Sequence, residues 1–161
     1  MPHLILSVLF RWLHIASACC LIGGFFFMRV VLPGALMRLE EPQRTETLVR
    51  VRRRFKFVIH TSILFLIISG IYNSMGNWPA YGRFRPLSDA LWGGHVALAA
   101  LVFTLALVLL ARPMPPRGYK AWAVINLLLM AITLAVAGTL KYERQAHPAT
   151  PPTIVVMATK H

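Results

Sequence analysis

The segment LWGGHVALAALVFTLALVLLA, residues 91–111, decides the fold class of this chain. Its 21 residues include no acidic and no basic side chain, and its one titratable group is the imidazole of His95. An α-helix needs about 20 apolar residues to cross the roughly 30 Å of hydrocarbon in a bilayer. The segment therefore predicts a transmembrane helix.

Three further stretches have the same length and apolar character: residues 4–28, 57–75 and 121–140. The first is interrupted only by Arg11, whose long side chain can reach an interface. The whole chain of 161 residues is 57% hydrophobic with a mean hydropathy of +0.63, which is more apolar than a soluble domain. We predict an all-α integral membrane four-helix bundle over residues 1–145, followed by a Pro-containing tail at 146–161.

Charge indicates the orientation of these helices. Of the 17 Lys and Arg residues, eleven lie in the two connections at one side of the predicted bundle, and six lie on the other side. Basic residues are enriched on the cytoplasmic side of membrane proteins. We therefore predict a multi-pass protein of the bacterial inner membrane, with both termini on the outer, periplasmic side. We expect residues 29–56 to form a basic cytoplasmic loop, in which 40–54 continue as a helical extension that presents a solvated, lipid-facing basic surface.

The net charge of +12 also indicates what the basic connections between the helices contact. The basic residues flank spans of bilayer length, so we expect contact with anionic lipid headgroups. Nucleic-acid binding requires a polar basic face on a soluble scaffold, and this pattern excludes that class.

Three histidines, His14, His60 and His95, lie within apolar segments that contain no carboxylate. Ionisable residues inside a membrane are candidates for functional sites. His14 and His95 each lie a few residues from the outer end of their helix, so we expect them at similar depth. Two inward-facing imidazoles at one level can ligate a haem iron, whereas the structural alternative for each is a hydrogen bond across helices.

The neighbours of this pair fit a porphyrin. Gly93, Gly94 and Ala97 are small enough to leave room, although small residues also serve helix packing. Three arginines lie on the side where haem propionates would emerge: Arg11, Arg83 and Arg85.

His60 lies near the inner end of the second helix, without another histidine at its depth. It is a candidate for a second metal site. It is also compatible with a second haem held through an unusual partner, with a quinone pocket, or with the headgroup zone beside Lys56.

Copper is the alternative to haem. Cu(I) prefers clustered sulfur ligands, but the seven methionines are dispersed. Zinc would need a third His or a carboxylate. No nucleophile and base pair, carboxylate pair or phosphate-binding glycine loop is present in the sequence, so if the chain is an enzyme we expect an oxidoreductase.

Several short motifs resemble the copper-resistance protein D superfamily, which includes the four-helix, haem-binding type of protoporphyrinogen oxidase. They are RWLHIA at 11–16, LIGGF at 21–25, SGIYN at 69–73 and WGGHV at 92–96, within a resemblance over about residues 8–140. The resemblance implies a four-helix membrane protein in which His14 binds haem b or copper. Relatives often carry a Lys beside the helix-three histidine where this chain has Ala97, so it implies haem binding more than porphyrinogen oxidation.

The sequence thus predicts a haem b-binding, cytochrome-like membrane protein. It would transfer electrons between a quinone or porphyrinogen in the bilayer and a partner at the outer surface. Two alternatives remain open: a copper transport or resistance protein, and a small accessory subunit of a larger respiratory or photosynthetic complex.

Overall fold

The computed structural model describes residues 2–75, 86–111 and 119–146, and the regular structure within these ranges is entirely helical. Helix α1 (Pro2–Phe26) continues through a π-helical turn (Phe27–Val31) into α2 (Leu32–Leu36), and is followed by α3 (Glu41–Met75), α4 (Pro86–Ala111) and α5 (Tyr119–Ala146). The predicted all-α class is confirmed over these ranges.

Four helical runs are long and apolar enough to cross a membrane: His3–Leu36, Glu41–Met75, Leu87–Ala111 and Ala121–Glu143. Each contains one of the four apolar segments identified in the sequence. Many of their large apolar side chains are exposed, among them Phe57, Leu64 and Leu128. Such exposure is costly in water and favourable in hydrocarbon, as expected for a multi-pass membrane protein.

The first helical run extends beyond the predicted boundary at Pro33. Proline has no N–H and its ring clashes with the carbonyl four residues earlier, which normally ends an α-helix. Here a π-helical turn precedes it, in which the N–H of Leu32 bonds to the carbonyl of Phe27. Pro33 then occupies the first turn of α2, where its missing donor costs nothing.

The predicted basic loop at 29–56 is also mostly helical. Helix α3 runs without interruption from Glu41 to Met75, so the expected helical extension and the second apolar segment form one helix. Only residues 37–40 connect it to α2. The other helices also exceed their predicted ranges of 91–111 and 121–140. The tail from residue 147 onward lies outside the described residues.

The helices form two closely packed antiparallel pairs, α1 with α3 and α4 with α5, and the pairs meet each other over fewer residues. Gly24 allows the close approach of the first pair, because a Cβ there would lie 2.8 Å from Cε2 of Phe55. That phenyl ring is itself held edge-on against Phe25, with ring centroids 5.4 Å apart. Phe10 and Tyr72 stack with their centroids 4.0 Å apart further along the same pair.

We call the end of the bundle that carries residues 52–56 the basic end, and the opposite end, which carries Pro2 and Ala146, the terminal end. At the basic end, Arg52 joins the pairs, since its guanidinium donates to the carbonyls of Leu109 and Leu110 over 3.2 and 3.4 Å. Cations near a helix C-terminus are stabilising.

The buried apolar core lies on one side of the two central histidines. It consists of Leu21, Phe25, Phe55, Ile59, Ile63, Leu66, Val102, Ala106, Leu109, Leu110 and Met130. Along every helix these residues fall between the level of His14 and His95 and the basic end. This core therefore packs the bundle between the histidines and the basic end.

Candidate functional site

His14 lies on α1 and faces α3. Its Nδ1 is 2.8 Å from the hydroxyl of Ser69, a residue with no exposed surface. Gly70 makes room for the ring, since a Cβ at that position would lie 3.6 Å from its Cε1. On α3, Ser69 thus provides the hydrogen-bond partner of this imidazole, and Gly70 provides the space for it.

The hydroxyl of Ser69 determines which nitrogen of His14 carries the proton. Its Oγ lies 2.5 Å from the carbonyl of Phe65 and 3.3 Å from that of Leu66, the back-bonding common for serine within a helix. A serine has one proton to donate. When that proton goes to a carbonyl of α3, Nδ1 of His14 is the donor to Ser69 and the lone pair lies on Nε2.

His95 lies on α4 and faces α5. Its Nδ1 is 3.3 Å from the backbone carbonyl of Thr133. A carbonyl only accepts hydrogen bonds, so this nitrogen also carries a proton. The hydroxyl of Thr133 bonds separately to the carbonyl of Leu129 over 2.7 Å.

His14 and His95 come from different helix pairs, and both are partly buried. An electrostatic interaction between the two imidazoles indicates that both rings face the junction between the pairs. In the neutral form of each ring, the proton on Nδ1 leaves the lone pair on Nε2. The arrangement therefore supplies two imidazole nitrogens that can act as metal ligands, one from each side of the junction between the pairs.

The two residues that precede His95 are not packed against other side chains. A Cβ at Gly93 or Gly94 would meet no atom within 4 Å, and Gly93 is exposed. Ala97 is exposed and small. Arg11 is exposed one turn from His14, so its side chain is available to an anionic group at the terminal end. Arg83 and Arg85 lie outside the described residues.

His60 lies apart from the pair. It is nine residues from Ser69 on α3, which corresponds to about 14 Å along the helix. Its side chain is exposed, and its Nδ1 is 2.6 Å from the carbonyl of Lys56. It lines a separate cavity of about 360 Å³.

Sequence reasoning did not identify Ser69 or Thr133, the two partners that orient the histidines. The available signal was a small polar residue in an apolar helix at the same depth as a histidine. Asn126 on α5 is a second buried polar group. It has no exposed surface, and neither of its amide atoms has a hydrogen-bond partner among the described residues.

Within residues 2–75, 86–111 and 119–146, no group of three or more His, Cys, Asp or Glu side chains is placed to hold a metal ion. Cys19 and Cys20 are exposed free thiols. A site with only protein ligands for zinc or copper usually has three or four of them. The donor set thus consists of the two imidazoles.

Comparisons of the chain with protein-family models, with curated proteins and with solved structures find no match. The resemblance to the copper-resistance protein D superfamily stays a prediction from the short motifs.

Proposed function

We propose that this chain is a haem b-binding membrane protein that transfers electrons within the bilayer, in which His14 and His95 would hold the haem iron. The observation that carries the proposal is a pair of partly buried imidazoles, one from each helix pair, that interact electrostatically. In each of them Nδ1 has a hydrogen-bond partner, and with the proton on Nδ1 the lone pair on Nε2 is the one offered to a metal. Histidines that bind metals commonly have this arrangement, because a partner on the second nitrogen fixes the tautomer and the ring orientation.

The number of donors favours haem over copper. A porphyrin supplies four ligands to its iron, so the protein needs to add only one or two. Two imidazoles suffice for a six-coordinate haem, but they are too few for an all-protein copper or zinc site. Two imidazoles are therefore the number of protein ligands that a haem requires.

The surroundings of the pair are compatible with a porphyrin. The apolar core lies between the histidines and the basic end, so it forms an apolar floor on that side of the pair. Gly93 and Gly94 place no side chain beside His95. Arg11 is exposed toward the same end and can pair with a propionate, since arginine matches carboxylate geometry with two parallel hydrogen bonds.

When bound, haem supplies one-electron redox chemistry. The residues of this chain orient the two ligands, surround the site with apolar side chains and place a positive charge near its edge. Ser69 holds the His14 ring at a fixed tautomer through its own bond to the carbonyl of Phe65. The carbonyl of Thr133 does the same for His95. These groups determine how strongly each imidazole donates to a metal.

We further propose that the bundle lies in the bacterial inner membrane with both termini outside, since the basic residues concentrate at the opposite end. In this orientation the histidine pair is nearer the outer surface. A quinone or porphyrinogen in the bilayer would exchange electrons with it, and any catalytic activity would be that of an oxidoreductase. Neither a copper transporter nor an accessory subunit accounts as directly for two histidines held at one level.

The experiment is to purify the protein from haem-supplied cells and record absorbance spectra with a pyridine haemochrome assay. We expect a Soret band, a reduced α-band of the b type and low-spin six-coordinate iron. His14→Ala and His95→Ala should each lose haem or become high-spin. His60→Ala is the matched control, since it removes an imidazole from the same bundle about 14 Å away along α3.

Retention of the low-spin spectrum in either His14→Ala or His95→Ala would refute the ligand assignment. Metal analysis that finds copper without porphyrin would replace the proposal with the copper alternative.

A further inference from the structure

A cavity-lining cluster lies far from the histidine pair, where α3 meets the last turns of α4. The cavity has a volume of about 360 Å³, and Lys56 and His60 line it from α3. Leu107, Leu110 and Ala111 line it from α4. Its volume falls within the range of about 300–1,000 Å³ typical of ligand pockets. The lining is therefore amphipathic, with polar groups on one helix and apolar groups on the other.

The position of the cavity along α3 matches a membrane interface. Lys56 is the last basic residue before the apolar run 57–75, and His60 follows one turn into that run. When α3 crosses a bilayer, Lys56 lies at the boundary between headgroups and hydrocarbon. The side chain of His60 is exposed, so it faces the lipid immediately beyond this boundary.

The hydrogen bond of His60 defines what its free nitrogen can bind. Nδ1 lies 2.6 Å from the carbonyl oxygen of Lys56, and a carbonyl cannot donate, so Nδ1 carries a proton. In the neutral imidazole Nε2 is then an acceptor. The cavity thus combines an acceptor that fits a hydroxyl with an ammonium group that fits an anion.

We propose that this cavity binds an anionic phospholipid whose headgroup carries a free hydroxyl, the chemistry of phosphatidylglycerol. The phosphate pairs with the ammonium of Lys56, the headgroup hydroxyl donates to Nε2 of His60, and an acyl chain lies along Leu107. Exposed Arg53 and Arg54 add positive charge nearby, which attracts anionic lipids to this end of the bundle. A quinol would also offer a hydroxyl, but it has no negative charge for Lys56.

This inference rests on membrane insertion, which the proposed function shares, but not on haem binding. The test places the full-length protein in nanodiscs and measures bound lipid by native mass spectrometry. Three probes are compared at equal mole fraction: phosphatidylglycerol, phosphatidylethanol and phosphatidylcholine. Phosphatidylethanol has the same phosphodiester charge without the hydroxyl, and phosphatidylcholine has no net charge.

For the unmodified chain we expect phosphatidylglycerol to bind about three- to tenfold more tightly than phosphatidylethanol, the effect of one net hydrogen bond. Phosphatidylethanol should in turn bind about fivefold more tightly than phosphatidylcholine, the effect of one interfacial cation. His60→Phe should abolish only the first difference, and Lys56→Gln should reduce the second. Arg50→Gln is the matched control, because it removes a charge that is paired with Glu46 and should change neither ratio.

Equal binding of phosphatidylglycerol and phosphatidylethanol by the unmodified chain would overturn the proposal. So would displacement of the lipid by soluble glycerol phosphate, which would assign the cavity to a soluble anion, or by a quinol. Since lipid occupancy is measured without reference to absorbance, loss of the haem signal in the earlier experiment leaves this result unaffected.

Discussion

Substitution of Ser69 by alanine tests the orientation of the proposed iron ligand most directly. The hydroxyl accepts the proton of His14 Nδ1 over 2.8 Å and is itself anchored to a carbonyl of α3. Alanine removes the acceptor and leaves the ring free to change tautomer or rotate. The role assigned to Ser69 is positioning, because it acts through the imidazole and does not touch the metal.

The size of the effect follows from the hydrogen bond that is lost. Removal of one partner of a buried hydrogen bond costs about 1–3 kcal/mol because the other partner is left unsatisfied, so the haem-free protein should be destabilised by about that amount. A metal-binding histidine is oriented by a hydrogen bond on the nitrogen that does not bind the metal. Loss of the residue that makes this bond typically weakens metal affinity by about 10–100-fold. We therefore expect the Kd for haem to rise by about tenfold or more, equivalent to at least about 1.4 kcal/mol.

The assay is a haem titration of the haem-free protein in detergent, followed by absorbance, with thermal unfolding measured in parallel. Ser62→Ala is the matched control, because Ser62 is also a buried serine on α3, seven residues nearer the basic end. Ser69→Ala should also shift the reduction potential of the bound haem, a change that a purely structural role would not cause. Equal haem affinity and equal potential in the two variants would refute the reasoning about the tautomer of His14.

Three other substitutions test the packing. Gly24→Ala should be less stable than Gly23→Ala by about 1–3 kcal/mol, because both gain helix propensity but only Gly24 would place a Cβ 2.8 Å from a packed ring; equal unfolding temperatures would contradict this. Gly94→Leu should lower haem loading, because it adds a large side chain next to His95, while Gly23→Leu should leave haem loading unchanged. If the haemochrome assay shows a larger loss of haem in Gly23→Leu than in Gly94→Leu, no porphyrin lies beside Gly94. Asn126→Leu should raise the free energy of unfolding by about 1–3 kcal/mol, since a buried amide without partners is costly; a loss of stability in chemical unfolding would instead indicate a bound internal water.

The central helices could be read from the sequence because their signal is local. Residues 91–111 contain enough consecutive apolar side chains to span hydrocarbon, and this property does not depend on any other part of the chain. The termini of the helices were less predictable. Pro33 ordinarily ends an α-helix, and only the π-helical turn before it allows the helical run to continue.

The candidate site was predictable only in part. His14 and His95 were identifiable because a titratable side chain in an apolar segment is unusual and because counting residues places both at one depth. That they approach each other, however, follows from which helices pair. The positions of Ser69 and Thr133 beside the two rings likewise depend on the rotation of α3 and α5 about their axes.

The sequence by itself determined the number of helices, their apolar character and the residue types that can ligate a metal, because these follow from composition within single segments. Only the tertiary structure decided that α1 pairs with α3 and α4 with α5, and that each pair holds one imidazole by its Nδ1. The physical reason is that hydrogen bonds and close packing between helices join residues such as His14 and Ser69, which are 55 positions apart in the chain, and no local pattern encodes such a contact.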